Sequence, residues 1–167
     1  MTQADVPPTT PRSGDPVAIG QIGIAAGGGV LRTFVGSCVG LVLHARSKRA
    51  AGLAHVMLPA SNGRGTPPGK YADTAVAETL RLLCEAAGEQ SLSCTAKLVG
   101  GATMFAFQSG TPIGEQNVLA LERILGDLGI PITGRICGGR HGRRLAVDVV
   151  TGTVTVETAG HGTETLV

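Results

Sequence analysis

The chain has 167 residues, with 14 lysines and arginines against 12 acidic residues. A net charge of +2 gives no indication of a polyanionic partner, and four aromatic residues without tryptophan offer no stacking platform for single-stranded nucleic acid. The 43% hydrophobic content excludes a mostly disordered chain, and the length suffices for one domain whose core needs no disulfide or metal.

Residues 1–16, with Pro7, Pro8, Pro11, Pro16 and few apolar side chains, read as a disordered N-terminal tail, and residues 17–167 as a single domain. The tail has no hydrophobic signal core. No stretch approaches the roughly 20 continuous apolar residues that span a bilayer, so a cytoplasmic location without membrane insertion is expected. Short apolar and β-branched runs then predict strands over Val17–Ala26, Val30–Val35, Val39–His44 and Ala51–Met57, with Gly27-Gly28-Gly29 as a turn. Residues 61–70 form a loop by composition. Ala72, Val76, Leu80, Leu83 and Ala87 recur at helical spacing, with Asp73 near the start and Gly88 just past the end. A strand at Cys94–Leu98 runs into Gly100-Gly101. A second helix is predicted from Glu115 to Leu128, with Val118, Leu121, Leu125 and Leu128 on one face. Three strands follow, at Ile130–Cys137, Arg144–Val149 and Thr153–Thr158. The pattern is α+β: a layered, mixed β-sandwich-like core with helices packed on the outside.

The candidate chemistry centres on Gly36-Ser37-Cys38, which interrupts an apolar run, and on His55 seventeen residues later. If Val39–His44 and Ala50–His55 form a hairpin, any even-length loop puts Cys38 and His55 on one face of the sheet. A four-residue Ala45–Lys48 loop sets them directly opposite, with Cβ atoms about 5 Å apart. A thiol beside an imidazole is the arrangement of a cysteine nucleophile and its base. Gly36 leaves room for a substrate, and the backbone N–H groups at Ser37 and Cys38 can receive an oxyanion. Free cysteine is also among the most buried residue types, so spacing alone leaves packing as the ordinary reading.

Cys84, Cys94 and Cys137 read as packing residues and free thiols. His44, beside a turn with Arg46, Lys48 and Arg49, is expected to be exposed, His141 to lie in a solvated loop, and His161, near the C-terminus, to be idle. Arg140, Arg143 and Arg144 read as a solvated basic loop. No standard ligand spacing supports zinc, and no phosphate-loop pattern accompanies Gly100-Gly101, so no metal or cofactor is expected.

The pieces GSCVGLVL (36–43), GLAHVMLP (52–59), GKYADTAV (69–76), GGATMF (100–105), IGEQNV (113–118) and GGRHGRR (138–144) occur in an order that resembles the chemoreceptor glutamine deamidase family, CheD. The resemblance runs from about Val17 to Glu157. It implies a layered α/β fold of the cysteine-hydrolase deamidase type, and a catalytic cysteine and histidine at Cys38 and His55. It places the family's third residue, a threonine, at Thr33. It further implies conversion of glutamine side chains to glutamate on the cytoplasmic helices of methyl-accepting chemoreceptors, with hydrolysis of glutamyl methyl esters in some members. A CheC-type chemotaxis phosphatase is the partner the resemblance suggests. A non-catalytic adaptor binding receptors or a phosphatase is the alternative, as is a cysteine hydrolase acting on another amide.

Overall fold

The protein is described from a computed structural model covering residues 11, 14–105 and 109–167. Most of the predicted tail therefore lies outside the described residues. The strands are β1 (Ile22–Ala26), β2 (Val30–Val35), β3 (Val39–Ala45), β4 (Ala50–Val56), β5 (Thr95–Gly100), β6 (Ile132–Cys137), β7 (Arg143–Asp148), β8 (Val154–Thr158) and β9 (Gly162–Leu166). The helices are α1 (Ala72–Ala87) and α2 (Ile113–Asp127).

A five-stranded sheet in the order β1-β4-β3-β5-β6 stacks on a four-stranded sheet in the order β2-β7-β8-β9. The first sheet is antiparallel except for the parallel β5–β6 pair. Its central strands β3 and β4 are buried at every position because both faces are covered. Leu41, Leu43, Ala54 and Val56 meet Val76 and Leu83 of α1 and Leu121 and Leu125 of α2 on one face. Val42 and Leu53 meet Leu31, Leu145, Val147 and Val156 of the second sheet on the other. The molecule is thus three layers: helices, sheet, sheet. The expected sandwich-like α+β core with outer helices holds, with both helices on the same side.

Helix α1 shows how locally this is set. Ala72, Ala75, Val76, Thr79 and Leu83 form its buried stripe, and Gly88, left-handed at φ 68°, closes the end on the Cys84 and Glu85 carbonyls. The helix lies close enough to β4 that a Cβ on Gly52 would come within 2.5 Å of the Thr79 methyl, so the smallest residue is required there.

Two elements depart from the predicted strands. Residues 17–21 are not part of β1. Gly20 takes φ 80°, the Gln21 N–H closes a turn on the Ala18 carbonyl, and Val17 crosses over to bond the Arg32 carbonyl of β2. Strand β9 has no predicted counterpart. Its sequence, GTETL, is solvent-exposed at four of five positions and has no apolar alternation to reveal it. Backbone pairing with β8 defines it, and only the half-buried Leu166 packs against the core between the sheets.

Candidate active site

Cys38 stands at the entrance to β3 and His55 one residue from the end of β4. The hairpin register pairs Ala45 with Ala50 and Gly40 with His55. The connecting loop is therefore Arg46–Arg49, a 3-10 turn closed by Arg49 at φ 49°, and not Ala45–Lys48. Cys38 is consequently diagonal to His55, two positions along the strand, instead of directly opposite. Because the offset is even, the pleat keeps both side chains on one face, the face toward the second sheet.

Thr33 arrives from that second sheet. In β2 only Leu31, Thr33 and Val35 point inward, and Thr33 faces the end of β4. Its Oγ1 lies 2.6 Å from the Val17 carbonyl and 2.9 Å from His55 Nδ1, which is itself 3.2 Å from the same carbonyl. The shortest of these contacts assigns the protons. A carbonyl only accepts, so the single Thr33 hydroxyl proton lies on the short contact to Val17. The contact between Thr33 and His55 then has His55 Nδ1–H as donor, which leaves Nε2 as the basic nitrogen. The backbone of His55 is pinned as well, its N–H on the Gln21 carbonyl and its carbonyl on the Gly20 N–H.

Cys38, His55, Thr33, Gly36 and Ser37 all line one cavity of about 690 Å³. Cys38, His55 and Thr33 are 9%, 5% and 5% exposed, and exposed Ile19, Phe34 and Met104 form the rim. The Cys38 thiol makes no hydrogen bond among the described residues, so the shared cavity is what unites it with His55. Burial pushes the Cys38 thiol above its ordinary value and holds the His55 imidazole below its own, the latter partly offset by the Val17 carbonyl. Both shifts favour an uncharged pair, thiol and neutral imidazole, at rest.

Around the turn, the Ala102 and Gly101 N–H groups bond the Gly36 and Cys38 carbonyls, each at 2.9 Å. Gly100, at φ 121°, presses so close that a Cβ would collide with the Cys38 carbonyl oxygen. Sequence reasoning missed four contributors: the Val17 carbonyl, Met104 over Gly36, the Gly101–Ala102 donors and Asn117 of α2. For Asn117 a signal was available, since it is a polar residue in a stripe with Gly114, Leu121 and Leu125 that is otherwise apolar and buried.

Two expectations are corrected. His44 is buried, not exposed, because even-numbered β3 residues face the second sheet, where its Nε2 meets the Val149 carbonyl at 3.2 Å. Arg143 is likewise buried, at the inward-facing first position of β7, with its guanidinium on the Gly138 carbonyl at 2.8 Å. Cys84, Cys94 and Cys137 are free thiols, as expected. Among the described residues no cluster of three or more His, Cys, Asp or Glu side chains is placed to hold a metal, and no helix is long and apolar enough to cross a membrane.

The chain is thus an α+β protein of two stacked sheets and two helices in which a cysteine, a histidine and a threonine line one cavity. Comparison with known proteins narrows its class. A family model described as CheD chemotactic sensory transduction matches residues 57–158. The chain is 41% identical over 138 residues to the chemoreceptor glutamine deamidase CheD of Bacillus licheniformis, covering 79% of this chain and 82% of that one. It is 40% identical over 157 residues to the protein of the same name in Bacillus subtilis, covering 90% and 94%. A probable chemoreceptor glutamine deamidase CheD of Methanococcus maripaludis is 39% identical over 142 residues, covering 84% and 92%. The chain belongs to the CheD family.

Proposed function

We propose that this chain is a protein-glutamine deamidase of chemotaxis receptors that works by thiol catalysis in the cavity between the two sheets. The observation that carries the reading is the meeting of Cys38, His55 and Thr33 at one cavity in a chain of this family.

In the proposed reaction Cys38 Sγ approaches His55 Nε2, gives up its proton to it, and attacks the Cδ carbon of a substrate glutamine. The carbonyl π electrons move to oxygen, and the resulting oxyanion is received by the N–H groups of Ser37 and Cys38, with Gly36 leaving space beside it. The protonated His55 passes its proton to the amide nitrogen, the C–N bond breaks, and ammonia leaves a γ-glutamyl thioester. Water, deprotonated by His55, then attacks the thioester, the C–S bond breaks, and glutamate and the thiol are restored. Thr33 keeps the imidazole in the tautomer this sequence requires, as the orienting group of a triad does. Glutamyl methyl esters fit the same chemistry with methanol as the leaving group.

The apolar rim of Ile19, Phe34 and Met104 suits a protein helix better than a free amino acid. Cytoplasmic receptor helices are the proposed substrate, a CheC-type phosphatase is the proposed regulatory partner, and the cytoplasm is the proposed location. The test is ammonia release from a purified receptor cytoplasmic fragment. Wild type is expected to release it, Cys38→Ala and His55→Ala to release none, and free glutamine to be a poor substrate. Undiminished release by Cys38→Ala would reject the mechanism.

A further inference from the structure

We propose that Asn117 is a positioning residue for this reaction: by gripping the Ser37 carbonyl from the helix layer, it turns the Ser37–Cys38 peptide so that its N–H faces the cavity and the developing oxyanion. The inference rests on the deamidase reading above and deepens it.

Asn117 is completely buried on α2. Its Nδ2 donates to the Ser37 carbonyl at 3.2 Å and to the Met57 carbonyl at 3.0 Å. The first carbonyl belongs to the turn that carries the candidate nucleophile. The second lies two residues beyond His55, where β4 ends. One amide group therefore ties together the two chain segments that must keep register at the site.

The consequence for Cys38 follows from peptide geometry. The Ser37–Cys38 bond is trans, and in a trans peptide the C=O and N–H point in opposite directions. Helix α2 covers the outer face of the five-stranded sheet, whereas the cavity with His55 and Thr33 lies on the inner face. A carbonyl drawn toward Asn117 thus sends the Cys38 N–H toward the cavity. The neighbouring peptide is set the same way, since the Gly36 carbonyl is held by the Ala102 N–H at 2.9 Å and the Ser37 N–H points away from it. Neither the Ser37 nor the Cys38 N–H donates to a protein acceptor among the described residues. Three donors from outside the turn thus hold three successive carbonyls and leave two N–H groups for a ligand.

The side chain's other atom supports the reading. Asn117 Oδ1 is buried with no hydrogen-bond partner. An unpaired buried acceptor weakens the fold, and Leu or Met would fill a helix stripe without that cost. What Asn contributes here is its pair of N–H donors.

The experiment compares full-length wild type, Asn117→Ala and the nearly isosteric Asn117→Leu, whose side chain donates nothing. Two rates are measured: deamidation of a receptor cytoplasmic fragment, and alkylation of Cys38 by iodoacetamide, followed by peptide mass. Alkylation displaces iodide from a saturated carbon and forms no oxyanion. Loss of oriented oxyanion donors is therefore expected to lower kcat about 10- to 100-fold, with KM and the Cys38 alkylation rate held within about twofold. Unchanged kcat in Asn117→Leu overturns the proposal, and so does a matching fall in alkylation, which would mean that Cys38 itself had moved. Asn117→Leu fills the buried stripe and keeps the test available if Asn117→Ala fails to fold. Cys38→Ala separates the two levels. If it retains activity the deamidase reading fails, and if it is inactive while the Asn117 variants keep full kcat, only the inference about Asn117 fails.

Discussion

The two ends of the sandwich each carry a buried cysteine and a buried histidine beside a cavity, and only one of them sets the two side chains on the same face of the sheet. At one end Cys38 and His55 line a cavity of about 690 Å³, and at the other His44 and Cys94 line one of about 540 Å³. Each histidine reaches away from its own sheet, His55 to Thr33 of β2 and the Val17 carbonyl, His44 to the Val149 carbonyl just past β7. The difference is pleat parity. Cys38 and His55 share the inner face. In the β3–β5 register His44 pairs with Thr95, so Cys94 falls with Ala45 on the helix face, its side chain on the opposite side of the sheet from His44. The His44 ring also packs against Gly152, where a Cβ would collide with it, and neighbouring Lys97 is bound to the Gly152 carbonyl at 2.9 Å. Proximity in sequence or in a cavity does not make a dyad. A shared face does.

The sharpest break between the two ends is in activity. Cys38→Ala or His55→Ala is expected to lower deamidation more than about 10³-fold, a loss of over 4 kcal/mol in transition-state stabilisation, while Cys94→Ala keeps turnover within about twofold. Steady-state ammonia release on a receptor fragment measures both. The His44 end is expected to fail in stability instead. Gly152→Ala puts a side chain at φ 75° against the His44 ring, so a loss of about 2–4 kcal/mol is expected by urea unfolding, with activity per folded molecule unchanged. An active but poorly soluble Gly152→Ala of native stability would refute this assignment.

Thr33 sharpens the comparison, because His44 has no hydroxyl partner among the described residues. Thr33→Val keeps the shape of the side chain but removes the acceptor for His55 Nδ1–H. A fall in kcat of about 10- to 100-fold is expected, with Thr33→Ser retaining most of the activity. Wild-type rates in Thr33→Val would show that the Val17 carbonyl alone orients the ring.

The smallest effects concern pH. Since burial holds the His55 imidazole below its ordinary value, the acid limb of kcat/KM is expected below the ordinary imidazole range. Alkylation of Cys38 is expected to inflect above the ordinary thiol value. Linkage gives the matching stability change. Between the lowered folded value and the ordinary unfolded value of His55, the unfolded chain binds more protons. Its contribution to stability is therefore present above the unfolded value and declines as pH falls through that window. An acid limb above the ordinary imidazole range would instead indicate a thiolate–imidazolium pair at rest.

Much of this was legible in the sequence where local rules decide. The stripe and glycine stop of α1, the β2 and β4 runs and the family pieces around Cys38 and His55 all pointed to the observed fold. Parity placed Cys38 and His55 on one face although the predicted loop was off by one residue, since that error shifts the register by an even number. What stayed hidden depends on contacts between layers. Val17 looks like the start of a strand, and only the Gly20 turn shows that its carbonyl serves Thr33 and His55. His44 looked exposed because of its basic neighbours, but its place in β3 turns it inward. Strand β9 has no apolar signal, and the grip of Asn117 on the turn exists only once α2 has docked.

In the proposed mechanism one sulfur, and no other, does the chemistry. Its most direct test is to incubate a receptor cytoplasmic fragment with each of the four single variants Cys38→Ala, Cys84→Ala, Cys94→Ala and Cys137→Ala, and to read the one-dalton gain per converted glutamine by mass spectrometry. Cys38→Ala alone is expected to leave the fragment unconverted; conversion by Cys38→Ala, or its complete loss in Cys94→Ala, would contradict the assignment of the nucleophile.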